Sequence, residues 1–128
     1  MKKIKIMAVD DNEDVLFSIK EGLKAISDYD IIPINSAKEF LERLKEGDFP
    51  DLLLLDIMMP EMDGWELTAK LKRSEEWKNI PIIFLTAKTD DLSKGLGSLT
   101  SEDYVEKPFE ISDLKERIDT VLERLNKA

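Results

Sequence analysis

The run Leu52-Leu53-Leu54-Leu55 constrains this chain more than any other stretch. It is too short for a helix and lacks the apolar–polar alternation of a strand with one wet face. A strand that is apolar on both sides belongs inside a parallel sheet covered by helices on both faces. The flanking sequence supplies the other elements. Residues 4–9, 31–34, 82–85 and 104–105 read as four more strands, and Pro33 puts the second at a sheet edge. Leu16, Ile19, Leu23 and Ile26 fall on one helix face. Ser36 caps a second helix carrying Phe40, Leu41 and Leu44, which stops at Gly47. Asp63 caps a third with Leu67 and Leu71 inward, and Trp65 and Trp77 flank it as covers of the core edge. Leu92, Leu96 and Leu99 mark a fourth helix, weakened by Gly95 and Gly97. Ile111, Leu114, Ile118, Val121, Leu122 and Leu125 form the stripe of a fifth. Strand–helix alternation of this kind predicts the α/β class: a doubly wound, flavodoxin-like five-stranded parallel sheet of order 2-1-3-4-5 with five helices. The 128 residues have the size of one domain.

Polar residues stand at the carboxyl ends of these strands. The first ends in Asp10-Asp11, the third in Asp56, the fourth in Thr86, and the fifth leads into Lys107-Pro108. In a parallel sheet those ends share one edge, the edge at which such folds bind ligands. Each residue alone has a plain structural role. Asp10-Asp11-Asn12 would cap the first helix, Asp56 would serve the turn, Thr86 would cap or end its strand, and Lys107 would be a solvated charge. Chance caps need not converge on one edge, and the combination has its own chemistry. Three clustered carboxylates repel and raise the pKa of at least one unless a cation intervenes. The chain has no cysteine and no histidine, which excludes disulfides and the usual zinc ligands and leaves a hard, oxygen-bound cation. Magnesium fits that description, and Lys107 adds a point charge suited to phosphoryl oxygen. Such a site would let Asp56 attack a phosphoryl group and form an acyl phosphate. The metal, Lys107 and the Thr86 hydroxyl would share its negative charge.

Four motifs in order, Val9-Asp10-Asp11-Asn12, Leu55-Asp56-Ile57-Met58-Met59-Pro60-Glu61-Met62-Asp63-Gly64, Leu85-Thr86-Ala87-Lys88 and Asp103-Tyr104-Val105-Glu106-Lys107-Pro108-Phe109, resemble the receiver domain of two-component response regulators, the family that includes the chemotaxis regulator. The resemblance spans essentially the whole chain. It implies that Asp56 accepts a phosphoryl group from a sensor histidine kinase or phosphotransfer protein, with Mg2+ (Mn2+ as an alternative) as cofactor. The implied metal ligands are Asp11, Asp56 and the backbone carbonyl of Met58, with Asp10 acting through ordered water. Lys107 and the backbone amide of Ala87 would hold the phosphoryl oxygens, and the Lys107-Pro108 bond is expected to be cis. Thr86 and Tyr104 match the switch pair, in which the hydroxyl moves toward the phosphate and the ring turns into the vacated space. The surface of the fourth helix, fifth strand and fifth helix would then change its affinity for a downstream protein. The implied product is a regulatory phosphoprotein with slow self-phosphorylation and self-dephosphorylation, monomeric unless phosphorylation brings dimerisation.

A net charge of −9 and a pI near 4.6 argue against direct binding to nucleic acid or an anionic membrane. There is no signal-peptide pattern and no apolar stretch of spanning length, so the expected compartment is the cytoplasm. The chain stops at Ala128, just after the last predicted helix. That leads us to expect one domain over residues 1–128 with no output domain, either as a stand-alone protein or as an excised piece. Two features depart from the family pattern. Thr100-Ser101 stand where Gly-Ala is usual, and the interval from Thr86 to Lys107 is about one residue short, so the fourth helix is expected to end differently and to be the most labile. In the turn after Asp56, Gly64 is expected to take a conformation barred to residues with a Cβ, and Met59 and Met62 are expected to pack the loop. Two other classes compete: a constitutive binding domain on the same fold, and a magnesium-dependent phosphatase or phosphotransferase. The complete Asp10, Asp11, Asp56, Thr86, Lys107 set disfavours the first. The lack of an Asp-x-Asp acid and of a cap domain disfavours the second.

Overall fold

The structure, a computed structural model, describes residues 3–87 and 103–125. Five parallel strands run β1 Lys5–Val9, β2 Asp30–Ile34, β3 Leu52–Asp56, β4 Ile82–Thr86 and β5 Asp103–Glu106, in the order β2-β1-β3-β4-β5. Their register places Val9 beside Leu55, Asp56 beside Leu85 and Thr86 beside Glu106. The strand containing Pro33 is one of the two edge strands, where the missing N–H costs the ladder least.

The helices form two layers. On one face, α2 (Ala37–Lys45) and α3 (Gly64–Lys72) bury Phe40, Leu41, Leu44, Leu67 and Leu71 against Met7, Val9, Leu53, Leu55, Ile82 and Phe84. On the other, α1 (Glu13–Ile26) and the final helix (Ile111–Arg124) bury Leu16, Ile19, Leu23, Leu114, Ile118, Val121 and Leu122 against Ile6, Ala8, Leu52, Leu54, Ile83, Leu85 and Val105. Both faces of β3 are therefore covered, as its leucines require. Trp65, Trp77, Met59 and Met62 pack at the edge of the first layer, and the Trp65 and Phe84 rings lie 4.8 Å apart. Among the described residues, no helix is long and apolar enough to cross a membrane.

Helix starts follow the predicted caps. Ser36 accepts from the Glu39 N–H at 3.1 Å, and Asp63 closes a capping box with Glu66. Two details correct the sequence reading. Ile26 is 46% exposed rather than inward. Its helix of 14 residues is about 21 Å long, whereas a five-residue strand spans about 17 Å, so the last turn overruns the sheet. Gly64 has no positive φ; among the described residues those angles belong to Gly47 (87°) and Glu61 (68°). What Gly64 provides is close approach, because a Cβ there would lie 2.7 Å from the Asp56 carbonyl oxygen and 2.8 Å from Ile57 Cα. The helix expected at Leu92, Leu96 and Leu99, with the Thr100-Ser101 departure, lies outside the described residues.

Candidate functional site

Strand alternation aims the charged residues at one spot. Asp10 continues the series Ile6, Ala8; Asp56 continues Leu52, Leu54; Lys107 continues Val105. All three series face α1 and the final helix. The outcome is a compact cluster at the carboxyl edge. Lys107 Nζ donates to Asp10 Oδ2 at 2.7 Å and to Asp56 Oδ1 at 3.4 Å. The Lys107 N–H donates to the Thr86 carbonyl at 2.6 Å, which anchors the lysine to the end of β4. The Lys107-Pro108 peptide is cis.

Asp10 is fully buried and Asp56 nearly so, whereas Asp11 is exposed. Capping of α1 falls to Asn12, whose side-chain oxygen accepts from Asp14 at 2.9 Å and Val15 at 3.2 Å. Asp10 is thereby free of that task; its other oxygen accepts from the Asn12 N–H at 2.9 Å. The capping role considered for Asp10-Asp11-Asn12 thus belongs to Asn12 alone. The direct ion pair between Asp10 and Lys107 was not foreseen from sequence, although the parity of Ile6, Ala8 and Asp10 carries the signal.

Burial, and then the neighbouring Asp10 charge, push the Asp56 carboxyl up to about 6, against the pull of Lys107 and the Met58 N–H. Lys107 is depressed by burial, but its hydrogen bond to Asp10 and the two carboxylate charges outweigh that and raise it overall. One oxygen from each of Asp10, Asp11 and Asp56 can be grouped within 4.8 Å. This all-oxygen set of clustered carboxylates fits a hard divalent cation better than a soft one. The other expected site residues are positioned as follows. The Met58 N–H donates to Asp56 Oδ1 at 3.3 Å while its side chain is largely exposed. Thr86 is buried at the end of β4, and Ala87 follows it on the exposed rim. Tyr104 is 40% exposed and pairs with Phe84, so it shares a sheet face with Thr86 two residues on.

Residues 6–119 match the family described as response regulator receiver domain. The chain is 36% identical over 121 residues to the alkaline phosphatase synthesis transcriptional regulatory protein PhoP of Bacillus subtilis, covering 94% of this chain and 49% of that protein. It is 40% identical over 119 residues to a probable cyclic di-GMP phosphodiesterase of Vibrio cholerae, covering 92% of this chain and 26% of the relative. Among solved structures, the receiver domain of the Francisella response regulator 1452 superposes with a TM-score of 0.82 at 30% identity, covering 96% of this chain and 99% of that one. The chain spans about half the length of the first of these relatives and about a quarter of the second.

Proposed function

Given that this chain belongs to the response regulator receiver domain family, we propose that it is a switch worked by phosphorylation of Asp56. The single observation that carries the reading is the nearly buried Asp56 carboxylate beside Lys107 and the two acids of the first strand's end. In the proposed step an Asp56 oxygen attacks the phosphorus of a phosphohistidine on a kinase or phosphotransfer protein. The P–N bond breaks as the P–O bond forms, and the departing imidazole nitrogen is protonated from water. With the Asp56 carboxyl at about 6, the attacking form is the ionised majority at neutral pH.

Lys107 already bridges Asp10 and Asp56, so its ammonium lies where phosphoryl oxygens on Asp56 would need neutralising. Asp11, Asp56 and the Met58 carbonyl, with Asp10 behind them, would hold Mg2+ or Mn2+. That ion supplies charge neutralisation for the oxygens of the transferred group. The Ala87 amide would add a donor, and the Thr86 hydroxyl a second. The new group brings about −1.5 to −2 charge and strong acceptors, which favours a Thr86 position nearer to Asp56. Tyr104, on the same face, would take the space that Thr86 leaves and so alter the surface of β5 and the final helix for a downstream partner.

The test is incubation with acetyl phosphate and Mg2+, followed by intact mass. One added phosphoryl group that requires both Mg2+ and Asp56, and is absent in Asp56→Asn, is expected. Rapid multiple turnover of the donor would instead support an enzyme. No adduct with either acetyl phosphate or a phosphorylated histidine donor would sink the reading.

A further inference from the structure

Gly22 sits in the middle of α1, where glycine is a poor helix residue and alanine the best. Its surroundings explain it. A Cβ at Gly22 would lie 2.7 Å from Cγ1, 2.9 Å from Cδ1 and 2.9 Å from Cγ2 of Ile111. Real Cβ atoms do not approach so closely, and the branched side chain of Ile111 has three atoms in the way. The first residue of the final helix is therefore seated directly on the backbone of α1.

What hangs from these two helices makes the contact consequential. Asp10 and Asp11 lie just before the first residue of α1, separated from it only by the Asn12 cap. Lys107 lies four residues before Ile111, joined to the final helix by Pro108, the half-buried Phe109 and Glu110. The two helices are thus the handles of the two partners in the 2.7 Å Lys107–Asp10 ion pair. Prying the handles apart would pull on Lys107 through residues 108–110, against its anchor at the Thr86 carbonyl.

We propose that Gly22 and Ile111 are positioning residues for phosphoryl transfer: their contact sets how far Lys107 reaches over Asp56. This rests on the phosphoacceptor role of Asp56 given above. Neither residue touches the reacting atoms; both act through the relative placement of Lys107 and Asp10.

The test compares wild type, Gly22→Ala, Ile111→Ala and the double variant in two readouts. The first needs no phosphoryl donor: crystal structures of each, read for the Lys107 Nζ–Asp10 distance. Gly22→Ala should lengthen that pair beyond hydrogen-bond reach, and the double variant, with all three obstructing atoms removed, should restore it. The second is the initial rate of Mg2+-dependent phosphoryl gain from acetyl phosphate at saturating donor. Misplacing a catalytic group by about 1 Å costs up to about 100-fold, so a partial displacement of Lys107 should slow Gly22→Ala about tenfold. The double variant should return to within about twofold of Ile111→Ala. A generally loosened fold would not be rescued by deleting more core atoms. An unmoved Lys107 in Gly22→Ala, or an unrescued double variant, overturns the proposal. If wild type takes up no phosphoryl group, the function proposed for Asp56 falls, while the distance series still decides the positioning.

Discussion

Replacing Asp56 by asparagine should make the metal-free protein more stable at neutral pH. The asparagine side chain resembles the protonated carboxyl in shape and carries no charge, so the substitution reports what ionising Asp56 costs the fold. The carboxyl is pushed from its ordinary 3.8 to about 6 by burial and by Asp10, net of the attraction of Lys107. At 1.36 kcal/mol per pH unit, that gap comes to about 3 kcal/mol. The sign follows from proton counts. Between about pH 4 and 6 the folded state holds a proton that the unfolded chain has released, so stability falls as pH rises through that window. The favourable contribution is complete below the unfolded value and gone above about 6. Asp56→Asn removes the titration, so its advantage should be near zero at pH 4, grow through pH 5 and level off above pH 6.5.

The assay is urea unfolding of both proteins from pH 4 to 8 in the presence of a chelator. With a urea slope of roughly 1–3 kcal/mol per M, a difference of about 3 kcal/mol moves the midpoint by ~1–3 M. Acids remote from the site titrate alike in both proteins and cancel in the difference. A wild-type-minus-variant difference that stays flat with pH, or a variant less stable than wild type at pH 7, would refute the assignment of strain to the ionised Asp56.

Two further outcomes follow from the same geometry. Mg2+ should stabilise wild type by about 1.4 kcal/mol at ten times its dissociation constant, and Asp11→Asn should lose most of that gain with little change in metal-free stability, read from melting curves with and without the ion; equal gains in both proteins would remove Asp11 from the donor set. Gly64→Ala drives a Cβ against the Asp56 carbonyl oxygen and the Ile57 Cα, both backbone atoms, and should cost about 1–3 kcal/mol in urea unfolding while also slowing phosphoryl uptake at Asp56; unchanged stability would mean that the turn relaxes freely.

The sheet was legible because its signals are redundant: the leucines of β3 demand cover on both faces, and Pro33 admits only an edge. The strand-end polar residues were legible for a related reason, since parallel strands deliver their carboxyl ends to one side whatever their order. Finer assignments depended on which side of a strand a residue faces. Asp10 and Asp11 are chemically alike in sequence, yet one is fully buried against Lys107 and the other is exposed. Alternation from Ile6 through Ala8 decides between them, but in a strand apolar on both faces hydrophobicity gives no hint of parity. Gly64 and Gly22 were opaque for another reason. A glycine needed for close approach is recognised only when the atom on the far side is known, and in both cases that atom comes from another element.

The electrostatic arrangement also bears on how Asp56 would work as the proposed switch. Lys107 is closer to Asp10, at 2.7 Å, than to Asp56, at 3.4 Å. The deeper acid therefore holds the lysine, and Asp56 is left under-neutralised. Burying a charge with an incomplete partner is unfavourable, and a cation entering the site would relieve that deficit. Were Lys107 paired chiefly with Asp56, that carboxylate would be more stable and its oxygens more fully engaged. A new phosphoryl group would then have to break that pair before gaining a contact. With the lysine held on Asp10, a phosphoryl group on Asp56 would meet an ammonium already within reach and would compete for it with one buried acid. In the proposed switch Asp10 would act as a keeper that stores Lys107 beside Asp56, over a distance that the proposed Gly22–Ile111 positioning would set.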